Sequence, residues 1–187
     1  MRIGIDIDDT ITNTQDKVDE IAQNIENRII YDRTKYWFSD RYNCSTDEDD
    51  IFYRKYWASI VSSVSLKKDV TKYIDKLLED GNDIYFITSR STTYADDVPA
   101  RTIEYFKKYG INYTDIIFSC NNKAKVCLDY NIDLMIEDTE DNINKLDEAG
   151  IKTIVMDNEH NKNVETLRAY SWEEVYKLIT GRWNNGR

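Results

Sequence analysis

The sequence predicts an α/β fold: a central parallel sheet between helical layers, with a small α-helical cap inserted after the first strand. Three observations carry that expectation. Short apolar blocks of strand type alternate with helical patterns along the chain, the arrangement that gives a parallel sheet covered on both faces. Gly81, Gly110 and Gly150 each follow a helical pattern and precede a strand block, where a helix end favours a residue tolerant of positive φ. From about Thr14 to Val64 no strand block occurs and helical periodicity takes over.

In chain order the strand blocks are IGI at 3–5, DIYFIT at 83–88, DIIF at 115–118, DLMIE at 133–137 and KTIVM at 152–156. Within the interruption, Val18, Ile21, Ala22, Ile25 and Ile29 mark one helix face. A second helix follows a capping-box candidate running from Thr46 to Asp49 and carries Phe52, Tyr53, Tyr56, Trp57, Ile60 and Val64. Ser65 is then the expected N-cap of a helix bearing Leu66, Val70, Ile74, Leu77 and Leu78. The expected division is a catalytic core of residues 1–14 and 65–187 and a cap of residues 15–64, with the closing GRWNNGR fraying.

A chain of 187 residues suits one domain carrying an insertion, and 41% hydrophobic content supports a sizeable core. The net charge of −10 argues against a nucleic-acid polymer as partner, because binding a phosphate backbone needs a basic face. A small anionic substrate stays open, since one metal ion or lysine reverses the sign locally. Cys44, Cys120 and Cys127 are odd in number and lack CxxC spacing, which fits a reduced setting. No signal-type segment and no apolar run of membrane-spanning length is present, so a cytoplasmic location without membrane contact is expected. The oligomeric state is not indicated.

The chemistry is concentrated in RIGIDIDDTIT at 2–12, where a buried-looking strand runs into Asp6, Asp8 and Asp9. Two carboxylates ~4 Å apart repel by about 4 kcal/mol at an effective dielectric of ~20, so three together need compensation. In an open parallel sheet the strand ends share one edge. That edge would gather Asp6, Asp8 and Thr10, then Thr88, Ser89 and Arg90, then Lys123, then Glu137 and Asp138. Hard oxygen donors without histidine suit Mg2+, held by Asp6 and Asp138. Asp6, ionised beside the metal, could then act as a nucleophile on phosphorus. Asp8, its pKa raised by like charge, would protonate the leaving oxygen and later take a proton from water. Thr88 and Ser89 would hold phosphoryl oxygens and Lys123 would neutralise developing charge. These are the parts of a phosphomonoester hydrolysis.

GIDIDDT, YFITSR, the lysine of NNKAK and LMIEDTEDN resemble, in order, the four motifs of the haloacid dehalogenase (HAD) superfamily. The resemblance implies a Rossmannoid three-layer core with a central parallel sheet. It also implies Asp6 as nucleophile, Asp8 as acid/base whose main-chain carbonyl also binds magnesium, Thr88 and Lys123 as phosphate-holding residues, and Asp138 as metal ligand. The carboxylic acid at Asp8 points to phosphoryl transfer rather than dehalogenation. More narrowly, the helical insertion, ITSR, KAKVCLDYNIDLMIEDT and MDNEHNKN look like the 5′(3′)-deoxyribonucleotidase branch and its bacterial nucleotidases. That likeness implies a nucleoside monophosphate as substrate, with the insertion as a cap whose aromatic side chains hold the base. TSR stands where that branch usually has a proline, and Glu137 where Gly or Asp is common, both beside the phosphate.

Several residues keep a second reading. Thr88 and Ser89 could serve as strand-end hydroxyls, Lys125 competes with Lys123 for the site, and Arg90 could hold phosphate or pair at the surface. Glu137 could support the metal through water or be a solvated turn residue, and Asp9 reads as structural. Trp37, Phe38, Phe52, Tyr53, Tyr56 and Trp57 read mainly as cap core, with a minority free to stack on a base. His160 reads as a loop residue that no step requires. The competing functions are a receiver-like phosphoacceptor signalling domain, a HAD phosphatase for another small phosphorylated metabolite, and an inactive binding protein that kept the site's shape.

Overall fold

The computed structural model of the chain describes residues 1–182. Six strands form one sheet: β1 (Arg2–Ile5), β2 (Asp83–Ile87), β3 (Asp115–Ile117), β4 (Leu134–Glu137), β5 (Lys152–Met156) and β6 (Arg168–Ala169). Their order is β3-β2-β1-β4-β5-β6, and every pairing is parallel. Eight helices accompany them among the described residues: α1 (Thr14–Asn24), α2 (Phe38–Tyr42), α3 (Thr46–Ser63), α4 (Val70–Glu79), α5 (Val98–Tyr109), α6 (Lys123–Asp129), α7 (Glu140–Glu148) and α8 (Trp172–Arg182).

The alternation of side chains along each strand builds two cores, one on either side of the sheet. Ile3, Ile5, Ile84, Phe86, Leu134 and Ile136 face α4, α5 and α8, while Tyr85, Ile87 and Met135 face α6 and α7. Gly4 sits on the second face, where a Cβ would come within 2.6 Å of Met135 Sδ. That close approach is why β1, one of the two central strands, carries a glycine. The expected helix-ending glycines have φ of +80° (Gly81), +64° (Gly110) and +73° (Gly150).

A third apolar cluster lies between β1 and α4 in sequence: Val18, Ile21 and Ala22 of α1, Phe38 and Tyr42 of α2, and Phe52 and Ile60 of α3. Three expectations there need correction. α1 stops at Asn24, so Ile25 and Ile29 are exposed and not part of its buried face. The capping box belongs to Ser45 and Glu48, one residue earlier than expected: Glu48 N donates to Ser45 Oγ and Ser45 N to Glu48 Oε2. Leu66 is not helical. Residues 65–67 run back along the turn after β1, with Asn13 N donating to Ser65 O (2.9 Å) and Lys67 N to Ile11 O (2.8 Å), so α4 begins only at Val70. Of the closing GRWNNGR, Gly181 and Arg182 finish α8, and residues 183–187 lie outside the described residues.

The described cysteines form no disulfide. No described helix is long and apolar enough to cross a membrane.

Candidate active site

Asp6 follows β1, Thr88 follows β2, Asp138 follows β4, and Lys123 opens α6 after β3. Because the strands are parallel, these residues share one edge of the sheet, at the point where β1 has β2 on one side and β4 on the other. The ladder extends one residue into the site. Asp6 N donates to Ile136 O and Thr88 N to Ile117 O, both at 3.0 Å, which fixes the backbone from which each side chain projects.

Asp6, Glu137 and Asp138 each offer a carboxylate oxygen within 4.8 Å of the others, and all three are buried. Lys123 Nζ donates to Asp6 Oδ1 and, at 2.6 Å, to Glu137 Oε2. Lys125 is not in the site; it pairs on the surface with Asp129. Glu137 is fully buried, which removes the solvated-turn reading. Its second oxygen accepts the amides of Asp138 (3.2 Å) and Thr139 (3.1 Å). Asp138 accepts from the Thr10 hydroxyl at 3.1 Å, and its other oxygen lies 2.9 Å from His160 Nε2.

His160 therefore departs from the expectation of a dispensable loop residue. Its side chain is enclosed, although the residue as a whole is half-buried, in a single 3-10 turn (Glu159–Asn161) whose neighbours brace the same edge: Asn161 donates to Asp138 O (2.7 Å) and Asn158 to Asp9 O (3.0 Å). The signal that could have found it is position, since DNEHN directly follows the end of the fifth strand block.

With all three buried carboxylates ionised, the one ammonium would leave two negative charges uncompensated on this cluster. Burial is the main cause pushing Asp6 and Asp138 well above the ordinary carboxylate range; Lys123 opposes it and the neighbouring acids add to it. Lys123 itself is raised, because Asp6 and Glu137 outweigh the burial that would lower it. The protein groups alone thus favour a protonated Asp6, and the ionised Asp6 expected beside a metal needs that cation's charge. An all-oxygen donor set with two uncompensated charges fits a hard divalent cation such as magnesium.

Asp8 behaves opposite to expectation. Burial would raise its pKa, but Arg90 beside it and the bonds it accepts bring it below the ordinary value. Arg90 donates from Nε to Asp8 Oδ2 (3.0 Å) and from Nη2 to Oδ1 (2.8 Å), and the Thr14 hydroxyl adds a third bond at 2.7 Å. Arg90 Nη1 donates to Thr102 Oγ1 at 3.2 Å, so the guanidinium is a buried partner rather than a surface one. The Asp8 carboxylate stands outside the acidic trio; the metal role the resemblance implies runs through its main-chain carbonyl.

Thr88 is buried and accepts the Arg90 amide (3.1 Å), and Ser89 Oγ donates to Cys120 O (3.1 Å). Asp9 takes φ +56° in the turn, accepts the Gln15 amide at 2.9 Å, and is pushed up to about 7, first by burial and then by Asp138.

A cavity of about 200 Å³ opens beside Asp8 and Arg90, walled by Tyr36, Trp37, Tyr53, Trp57 and Tyr94. The aromatics of the insertion divide between two tasks. Phe38 and Phe52 stack at 4.3 Å inside the helical cluster, whereas Trp37, Tyr53 and Trp57 line the cavity. Tyr36 and Tyr94 were not singled out from the sequence, because neither belongs to a periodic face.

Residues 1–183 match the family described as 5′ nucleotidase, deoxy (pyrimidine), cytosolic type C protein. A nucleotidase from Clostridium acetobutylicum is 33% identical over 184 residues, covering 96% of this chain and 93% of the relative. Two solved structures share the fold. One is a predicted phosphatase from Clostridium acetobutylicum (TM-score 0.69, 18% identity, 96% and 98% of the two chains). The other is a haloacid dehalogenase-like hydrolase from Streptococcus pneumoniae (TM-score 0.67, 17% identity, 95% and 97%).

Proposed function

Because this chain belongs to the 5′ nucleotidase, deoxy (pyrimidine), cytosolic type C family, we propose that it is a magnesium-dependent phosphomonoester hydrolase whose substrates are nucleoside monophosphates. The observation that carries this reading is the convergence of Asp6, Glu137 and Asp138 around a deficit of two positive charges at the sheet's carboxyl edge. A divalent cation held there by Asp6 and Asp138, with the Asp8 carbonyl, would supply charge neutralisation to the carboxylates and the phosphoryl group.

Asp6 is the nucleophile: its carboxylate oxygen forms a bond to phosphorus as the bond to the ester oxygen breaks. The leaving alcohol takes its proton from Asp8. Water then attacks the phosphoaspartate, Asp8 accepts that water's proton, and inorganic phosphate and free Asp6 are released. Lys123 offsets charge on Asp6 and on the phosphoryl oxygens, and Thr88 and Ser89 contribute the hydroxyls and turn amides that hold those oxygens. Arg90 sets the resting state, since its bidentate grip keeps Asp8 ionised. An incoming phosphate dianion is the group that competes for the guanidinium and frees Asp8 to carry a proton. The helices of residues 15–64 act as the cap, and the aromatic cavity beside Asp8 takes the leaving nucleoside.

The test is turnover of p-nitrophenyl phosphate and a nucleoside monophosphate panel with magnesium present. Wild type should hydrolyse both. Asp6→Asn should reduce turnover by a factor on the order of 10⁴ or more with an unchanged circular dichroism spectrum. Wild-type inactivity on every phosphomonoester would end this reading.

A further inference from the structure

We propose that His160 is a positioning residue for the metal site: its Nε2–H donates to Asp138 Oδ2 and holds that carboxylate in the orientation that receives the divalent cation. The inference rests on the metal-dependent hydrolase reading above and gives a task in it to a residue outside the acidic trio.

The three carboxylates of the site are held in different ways. Asp6 and Glu137 share the Lys123 ammonium, and Glu137 also accepts two main-chain amides. The Asp138 carboxylate is bonded to no lysine or arginine among the described residues. Its Oδ1 accepts from the Thr10 hydroxyl at 3.1 Å, and its Oδ2 lies 2.9 Å from His160 Nε2. A carboxylate beside a cation is ionised and only accepts, so the hydrogen of the second bond sits on Nε2. Two donors, one on each oxygen, fix the plane of the group. With one of them removed, the carboxylate can turn about its last side-chain torsion, and a metal must then order it at a cost in affinity.

The turn that carries the imidazole is itself held on several sides. Asn161, fully buried, donates to Asp138 O (2.7 Å) and Met156 O (2.9 Å), while its side-chain and main-chain oxygens accept from Arg168 at 2.6 and 2.7 Å. From the insertion, Tyr36 meets the His160 ring at 64° with centroids 5.0 Å apart. The side chains of His160 and Asp138 are 4% and 1% exposed. A donor already locked by packing loses little freedom in making its bond, which is how a supporting residue keeps a ligand group in place.

The experiment separates the donor from the ring. His160→Gln keeps an amide N–H near the place of Nε2 and loses the ring; His160→Phe keeps a ring and loses the donor; His160→Leu loses both. Binding of Mn2+, which takes the same oxygen donors, is read from the free-ion signal in electron paramagnetic resonance, with Mg2+ as competitor. His160→Phe and His160→Leu should raise the Mn2+ dissociation constant about 10–100-fold, whereas His160→Gln should stay within about threefold of wild type. The Mg2+ concentration for half-maximal p-nitrophenyl phosphate turnover should rise by the same factor in H160F and H160L, and saturating Mg2+ should restore most of kcat. A contact that only fills space would sort the variants by the ring, with H160F like wild type and H160Q impaired. That ordering, an equal loss or an unchanged metal constant in all three variants, or failure of H160F and H160L to fold in excess metal overturns the proposal and leaves the hydrolase reading standing. Wild type that binds no Mn2+ and turns over without Mg2+ overturns this inference and the metal-dependent reading together.

Discussion

Lys123 is the single ammonium bonded to both Asp6 and Glu137, and all three are almost fully enclosed. Removing one partner from a buried charged cluster typically costs about 3–5 kcal/mol, because the remaining charges lose their compensation. Lys123→Met should therefore destabilise the metal-free protein by about that amount in urea unfolding. Asp138→Asn should act in the other direction. It removes one of the repelling carboxylates yet keeps an oxygen for the Thr10 hydroxyl, so a gain of about 1 kcal/mol is expected, as for other strained functional sites. The same variant should lose the stabilisation that wild type gains from magnesium. A destabilised Asp138→Asn would show that this cluster stores no repulsion. Asp6, Asp8, Thr88, Lys123 and Asp138 could be picked out from the sequence because each stands just after a strand block or opens the following helix. Which of them pair with which could not. The pairing of Arg90 with Asp8 spans 82 positions and depends on burial that no local pattern encodes, and His160 reaches Asp138 only because the chain turns tightly after β5.

Among the elements, α2 matters beyond its five residues. Arg41 donates to Asp19 of α1 through Nε (2.9 Å) and Nη2 (2.6 Å), and through Nη1 to Lys35 O (3.2 Å) and Arg33 O. One buried side chain thus fixes the loop that delivers Tyr36 and Trp37 to the cavity. Arg41→Leu removes the buried, bidentate cation from Asp19 and leaves it the Tyr42 hydroxyl (2.5 Å), Gln15 (3.3 Å) and the more exposed Arg33 (3.8 Å), so the segment of α1 and α2 should lose about 3 kcal/mol of local stability. Hydrogen exchange should quicken in those helices while β1, β2 and β4 keep their protection. Substrate KM should rise more than kcat falls. Equal exchange across the chain would mean that the insertion does not open independently. The elements legible in the sequence were those with apolar blocks long enough to register: five of the six strands, and helical faces such as Val70, Ile74 and Leu77. β6 escaped because Arg168–Ala169 has no apolar run; it is held by Val155 and Asp157, which donate to Leu167 O and Ala169 O. The early end of α1 and the late start of α4 were hidden by tertiary contacts that override local periodicity.

The separate pKa shifts combine into one property of the folded protein, its response to pH with and without a cation. For Asp6, Asp138 and Asp9 the folded state holds protons more tightly than the unfolded state, burial being the first cause in each. A carboxyl with a raised folded pKa makes the slope of stability against pH negative. Its contribution is full below the unfolded value near 3.8 and is lost as pH climbs toward the folded value, which Asp9 marks at about 7. Asp8 works the other way: its lowered pKa supplies stability that disappears only on acidification through its folded value. With EDTA, Tm should therefore be higher near about pH 5 than near about pH 7, the reverse of the trend set by ordinary paired carboxylates. Magnesium favours the ionised forms, so the Tm increment it produces should be small at the acidic end and grow toward neutrality. Scanning calorimetry over that range, with EDTA and then with excess magnesium, checks both slopes. An Asp6→Asn/Asp138→Asn double variant should show a flatter metal-free profile and no increment. A wild-type Tm that rises steadily to neutral pH in EDTA would mean that Lys123 alone balances the site, and the need for a divalent cation would lose its physical basis.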